Sequence, residues 1–156
     1  MKKIKPDSTE TPECPIRRIF ISAVNQPDGN GAAVAWLDET TGKRGAAVMP
    51  GSTPVEAAYS CCRSVFERIR AGQSVQIVTD LALLSGQFHA LSPVCGHRVH
   101  ALRARIVMVV RQRRLEVDVV CVPRADNRAW KLLKHHRVGP LEQDQLELDF
   151  GAAAAK

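Results

Sequence analysis

Two acidic residues stand where side chains could do chemistry. Asp80 closes the apolar run VQIVTD, residues 75–80, so a strand delivers a carboxylate at its end; Glu56 opens the helical segment that comes before. Carboxylates gathered from a strand end and a helix supply the hard oxygen ligands that Mg2+ demands. Two further acids, Asp126 ahead of a late helix and Asp28 in an early loop, are candidate substitutes for a missing ligand. Each acid also has a structural use. Glu56 suits the positive end of a helix, Asp80 and Asp126 suit helix caps, and Asp28 suits a solvated turn.

The elements that must position these groups are legible in the hydrophobic periods. RRIFISAV has the β-branched, apolar character of a strand, NQPDGNG the punctuation of a loop, and AAVAWLDE and RGAAVMP, joined by TTGK, complete a three-strand meander. At GSTPVEAAYSCCRSVFERIRAG the period changes to 3.6, with Val55, Ala58, Cys62, Val65, Phe66 and Ile69 on one face. Ser52 or Thr53 caps this helix and Pro54 suits its first turn, while Gly72 ends it. VQIVTD follows as the fourth strand, then a helical stretch LALLSGQFHAL, a break at SPVCG, and a longer basic helix over about 97–113. LEVDVVCVP alternates as a fifth strand, and RADNRAWKLLKHHR is a last helix entered through Asp126 or Asn127. Strands that follow helices return parallel through crossovers, so the expected architecture is α/β, a five-stranded mixed sheet flanked by helices.

The bulk properties bound the answer. A chain of 156 residues, 45% of them hydrophobic, fits one domain with an adequate core. That domain is expected over 16–137, between a polar leader at 1–15 and an acidic, alanine-rich tail at 138–156. The net charge of +6 favours a polyanionic partner. Five scattered cysteines and the lack of a secretory pattern suggest reduced thiols and a cytoplasmic protein. No apolar run reaches the roughly 20 residues of a membrane span. Neither a Gly-x-Ser-x-Gly elbow nor a phosphate-binding loop with a lysine is present, which argues against the hydrolase and nucleoside-triphosphatase classes they mark.

The element order over residues 16 to about 137 resembles the ribonuclease H family. Glu56, in TPVEAAYSCC, is similar to the family's first-helix Glu in its Ala-Glu-x-x-Ala pattern, and Asp80, in VTDLALL, to the fourth-strand Asp of Thr-Asp-Ser. VPRADNRAWKLLKHH resembles the strand exit and last helix, where an Asn precedes an Ala-Asp-x-Leu-Ala run. The resemblance implies a nucleic-acid enzyme that hydrolyses phosphodiesters with two divalent ions, Mg2+ or Mn2+. It also departs from the pattern. Ser22 occupies the position of the first-strand Asp, and Ala129-Trp130 replaces the last-helix Ala-Asp pair.

Two dications about 4 Å apart repel by on the order of 15 kcal/mol even at an effective dielectric near 20, so several carboxylates must surround them. A serine hydroxyl brings an oxygen without charge, and an indole brings neither. Glu56 and Asp80 alone would hold one ion weakly. The expected function is therefore a nucleic-acid-binding protein on this fold with impaired or lost hydrolysis. The alternative is a metal-dependent nuclease in which Glu56, Asp80 and a substitute such as Asp126 act together.

Basic residues concentrate in one third of the chain: Arg98, Arg103, Arg105, Arg111, Arg113, Arg114, Arg124, Arg128, Lys131, Lys134 and Arg137. Guanidinium forks grip phosphate without reading sequence, so this set is the expected surface for an RNA/DNA hybrid or duplex. Trp130 either stacks on a base or sugar or anchors the last helix in the core. CGHRVH offers Cys95, His97 and His100 but lacks the second ligand pair of a zinc site. The tail's QLELDF presents Gln145, Leu146, Leu148 and Phe150, and resembles the Gln-Leu-x-Leu-Phe peptides that dock bacterial replication proteins on the sliding clamp, with Asp149 inserted. A third reading is thus an adaptor that docks through its tail.

Overall fold

The meander forms as the alternation predicts: β1 (Arg17–Asn25), β2 (Gly31–Asp38) and β3 (Arg44–Pro50) pair antiparallel in sequence. In this computed structural model, which describes residues 15–89 and 96–136, α1 (Pro54–Arg68) leads to β4 (Ser74–Thr79). Next come α2 (Ala82–Phe88), α3 (His97–Gln112), β5 (Glu116–Cys121), a 3-10 turn (Arg124–Asp126) and α4 (Arg128–His136). The leader's first fourteen residues, Cys95, Arg137 and the tail with its docking motif lie outside the described residues.

The sheet order is β3-β2-β1-β4-β5, with β4 parallel to both β1 and β5. This is the five-stranded mixed sheet expected from the element order, and its crossovers put α1 and α3 side by side on one face and α4 on the other. The α1 stripe is buried as its spacing requires: Ala58, Cys62 and Phe66 are inaccessible, and Tyr59 and Cys61 join them. β2 is buried along its whole length because both faces are covered. Its residues Ala32, Ala33 and Ala35 meet Ala57 and Ala58 of α1 on one side and Ala129 of α4 on the other, so short side chains let helices approach the sheet closely.

α3 buries Val99 and Ile106 fully and Leu102, Val109 and Val110 in part, a helical stripe that leaves its arginines on the remaining surface. The first hairpin depends on Gly31. Its φ is +135°, and a Cβ there would fall 2.3 Å from the Met49 carbonyl oxygen.

Burial has a chemical consequence in α1. It pushes the Cys62 thiol up to about 12 and Cys61 well above its ordinary value. Burial also pushes the Tyr59 phenol up to about 12, partly opposed by Arg103, while its hydroxyl donates to Gln87 Oε1 at 2.8 Å. These groups hold protons in the folded state that the unfolded chain releases from about pH 9 upward, so stability is full below pH 9 and falls as pH rises toward 12. Titration with a thiol reagent at pH 8 should modify exposed Cys121 and spare Cys61 and Cys62 until denaturant is added; rapid native modification of either would contradict their burial.

Candidate functional site

The parallel strands end on a cluster built from three parts of the chain. Ile21 is level with Thr79, so the next residues, Ser22 within β1 and Asp80 after β4, come together where the parallel β1–β4 pairing ends. Ser22 is fully buried, and its hydroxyl has no hydrogen-bond partner among the described residues. The side chain of Asp80 is only 1% exposed. Its Oδ1 accepts a hydrogen bond of 2.8 Å from Asn127 Nδ2, and its Oδ2 accepts one of 2.9 Å from Arg124 Nε.

Local backbone chemistry explains why Arg124 and Asn127 reach the same carboxylate. After Pro123 the chain makes one 3-10 turn, with Asp126 N–H on the Pro123 carbonyl at 2.9 Å and Asn127 N–H on the Arg124 carbonyl at 3.1 Å. Three residues per turn eclipse side chains at i and i+3, so Arg124 and Asn127 project together. Asn127, wholly buried, then fills its capacity: Nδ2 also donates to the Ile21 carbonyl at 3.0 Å, and Oδ1 accepts from Ala129 N–H at 3.0 Å, capping α4. Arg124 lies over the Trp130 ring, 4.6 Å from its centroid, and half of its side chain remains in solvent.

Several sequence expectations change at this cluster. Asp80 does not cap α2: the Leu81 N–H bonds Thr79 Oγ1 at 3.1 Å, and the carboxylate is spent on Arg124 and Asn127. Asp126 is neither the cap of α4, a role Asn127 takes, nor a partner of Asp80; it is exposed on the outer side of the turn. Trp130 is half-buried at the margin of the α4 core with a cation on its face, so it belongs partly to each of its two readings. Asp28 is a turn residue, accepting from Asn30 N–H at 3.0 Å.

Glu56 sits in the first turn of α1, where Thr53 Oγ1 accepts its N–H at 3.2 Å. Its carboxylate faces Arg98 at 3.7 Å, and Arg98 also donates to the Gly51 carbonyl at 3.1 Å. Together with Ser52, Ser60 and Arg105 they line a groove of about 280 Å3 between the starts of α1 and α3. Each of the two carboxylates is thus paired with its own arginine.

The basic residues do not form one surface. Arg98, Arg105 and Arg124 flank the carboxylates. Arg128 turns across the opposite face of the sheet toward Glu39 at 3.6 Å and the Phe20 ring. Arg113 donates to the Ile69 carbonyl at 2.8 Å, at the far end of α1, with Arg111 and Arg114 near it in the chain. Arg103 is half-buried, close enough to Tyr59 to act on its phenol. Lys131 is exposed on α4.

The residues present do not fit a pair of metal ions. Among the described residues no group of three or more His, Cys, Asp and Glu side chains is arranged to hold one. Asp80 has both oxygens engaged, and a dication bound about 4 Å from the Arg124 guanidinium would be repelled by roughly 8 kcal/mol at an effective dielectric of 20. Arg124 supplies the positive charge that Asp80 faces. In the sequence Arg124 is one cation among many; the signal for its pairing is the three-residue spacing to Asn127 in a Pro-initiated turn.

No protein-family model matches the chain, and no curated protein matches its sequence. Solved structures do match. A complex of the ribonuclease H1 called LC11-RNase H1 with an RNA/DNA hybrid superposes with a TM-score of 0.63 at 17% identity, over 72% of this chain and 88% of that one. The ribonuclease H1 of the halophilic archaeon Halobacterium salinarum NRC-1 gives 0.63 at 16% identity, over 78% and 96%. The N-terminal ribonuclease H domain of a Mycobacterium tuberculosis protein, solved as a fusion with maltose-binding protein, gives 0.61 at 15% identity, over 88% and 97%. The chain has the ribonuclease H-like fold.

Proposed function

We propose that this protein binds RNA/DNA hybrid or duplex on a ribonuclease H-like scaffold and has impaired or lost hydrolysis. One observation carries the reading: the carboxylate of Asp80 is enclosed by Arg124 and Asn127, beside a neutral Ser22. Hydrolysis by two metal ions needs carboxylates free to coordinate at that place. Here a guanidinium occupies it.

Binding rests on different groups. Arg98 and Arg105 line the groove beside Glu56, and Arg124 lies against Asp80, where half-exposed Trp130 offers a stacking face beside it. Guanidinium contacts to phosphate give affinity without sequence readout. The second reading, a metal-dependent nuclease on Glu56, Asp80 and Asp126, is supported by the likeness to enzymes named ribonuclease H1, and Mg2+ or Mn2+ would be its cofactor. It requires Asp126 to leave the exposed side of its turn and Arg124 to release Asp80.

A labelled RNA/DNA hybrid incubated with the full chain in Mg2+ or Mn2+ separates the two. The expected outcome is retarded but intact hybrid in both metals. Cleavage that Asp80→Asn abolishes would overturn the loss of hydrolysis, and absence of any retention of hybrid at low salt would overturn the binding.

A further inference from the structure

We propose that the outer edge of β3 pairs with the same edge of a second copy of this chain, the two strands running antiparallel about a two-fold axis at Ala46. β3 and β5 are the outer strands of the sheet, and among the described residues only β5 is guarded. It carries Glu116 and Asp118, both exposed, and its Val119 carbonyl accepts from His89 Nε2 at 2.8 Å. β3 holds a single charged residue, Arg44, and its register with β2 runs from Arg44 to Pro50 without a bulge. Charges, bulges and covering elements are the usual defences of a sheet edge against another strand.

The hairpin bonds identify the backbone groups on that edge. Asp38 N–H bonds the Lys43 carbonyl at 2.8 Å and Gly51 N–H bonds the Asn30 carbonyl at 3.2 Å. By the alternation of an antiparallel ladder, Gly45, Ala47 and Met49 then bond β2, and Arg44, Ala46 and Val48 aim N–H and C=O outward. No described residue bonds those outward groups. Ala46 and Val48 pack on the α4 side and Ala47 and Met49 on the α1 side, so an added strand meets apolar surface on both faces.

One register suits two copies. Centred on Ala46, it makes bonded pairs of Ala46 with Ala46 and of Arg44 with Val48 on either side, each exchanging two hydrogen bonds. The two Arg44 side chains then stand roughly 13 Å apart, beyond the screening length at 0.1 M salt. A shift one way sets Arg44 against Pro50, which has no N–H; a shift the other way brings the arginines to roughly 7 Å.

A ladder this short belongs to the weak class of interfaces, with Kd on the order of 100 µM. Sedimentation and amide hydrogen exchange of the full chain, from about 10 µM to 1 mM without nucleic acid, test it. In dilute protein Gly45, Ala47 and Met49 are expected to be protected while Ala46 and Val48 exchange freely. At 1 mM a dimer is expected, with Ala46 and Val48 gaining about fivefold protection. Val48→Pro removes an N–H that β2 does not use, so it should weaken self-association by about tenfold or more and leave Ala47 protected. A chain that stays monomeric at 1 mM, or a Val48→Pro variant that dimerises like its parent, would overturn the proposal. So would protection of Ala46 and Val48 that dilution does not change, the sign of an edge covered by the chain itself or of a dimer formed elsewhere. With nucleic acid absent throughout, these outcomes leave the hybrid-binding reading untouched.

Discussion

Replacing Asn127 with leucine should destabilise the domain by about 3 kcal/mol, a drop of about 10 °C in Tm. Leucine has the same branched heavy-atom shape, so the main loss is of polar partners, to which the bulk of its two methyl groups adds. The Ile21 carbonyl and one oxygen of Asp80 lose their donor inside the protein, and the Ala129 N–H loses its cap. A buried group left without a partner costs roughly 1–3 kcal/mol, and a lost helix cap roughly 1 kcal/mol. Thermal denaturation followed by circular dichroism measures the change. Combining it with Asp80→Ala should cost less than the sum of the two single changes, because each variant alone strands a partner that the double variant removes. A loss under about 1 kcal/mol would mean that Asn127 does not tie the end of β1 to the last helix.

Nucleic-acid affinity should fall about 40-fold between 50 and 200 mM salt. The estimate counts Arg98, Arg105 and Arg124 as three phosphate contacts, each contributing roughly −0.9 to the slope of log K against log salt. Arg105→Ala should lower that slope by about 0.9 and weaken binding uniformly across sequences. Arg128→Ala should leave it almost unchanged, since that side chain is directed to Glu39 and Phe20 on the far face of the sheet. Fluorescence anisotropy with a labelled hybrid reads both effects. A slope shallower than about −1, or equal losses from Arg105→Ala and Arg128→Ala, would refute a backbone-driven surface on the arginines beside Glu56 and Asp80.

Much of the scaffold could be read directly. The α1 stripe of Val55, Ala58, Cys62, Val65, Phe66 and Ile69 is a period that only a helix makes one-sided, and the structure buries it, Val55 in part and the rest fully. The apolar run ending at Asp80 likewise had to be a strand, because it is short, β-branched and bounded by turns. Element boundaries were less legible. Of the two residues through which the sequence could enter the last helix, Asn127 is the one used and Asp126 is not, because Pro123 starts a 3-10 turn whose hydrogen bonds take up residues 124–126 first.

The site was legible as a list of residues but not as a set of contacts. Asp80 carried a warranted suspicion of chemistry, while Arg124 looked like one cation in a run of eleven. Arg103, Arg105 and Arg113, all on or just after one helix, lie near Tyr59, in the groove near Glu56 and at the far end of α1, because 100° per residue spreads neighbours in sequence around the axis.

Periodicity, charge and turn chemistry are properties of neighbouring residues, and from them the sequence by itself determined the strands, the helices, the sheet class and the presence of carboxylates at Glu56 and Asp80. Tertiary structure decided what those carboxylates touch. Asp80 meets residues 44 and 47 positions away, and Asn127 reaches a carbonyl 106 positions away. Such pairs are set by strand register, by the crossover of α4 over β1 and by the three-residue turn before it, and side chains must then come within about 3 Å to bond. That distance is fixed by the packed sheet and helices together, and no local pattern encodes it.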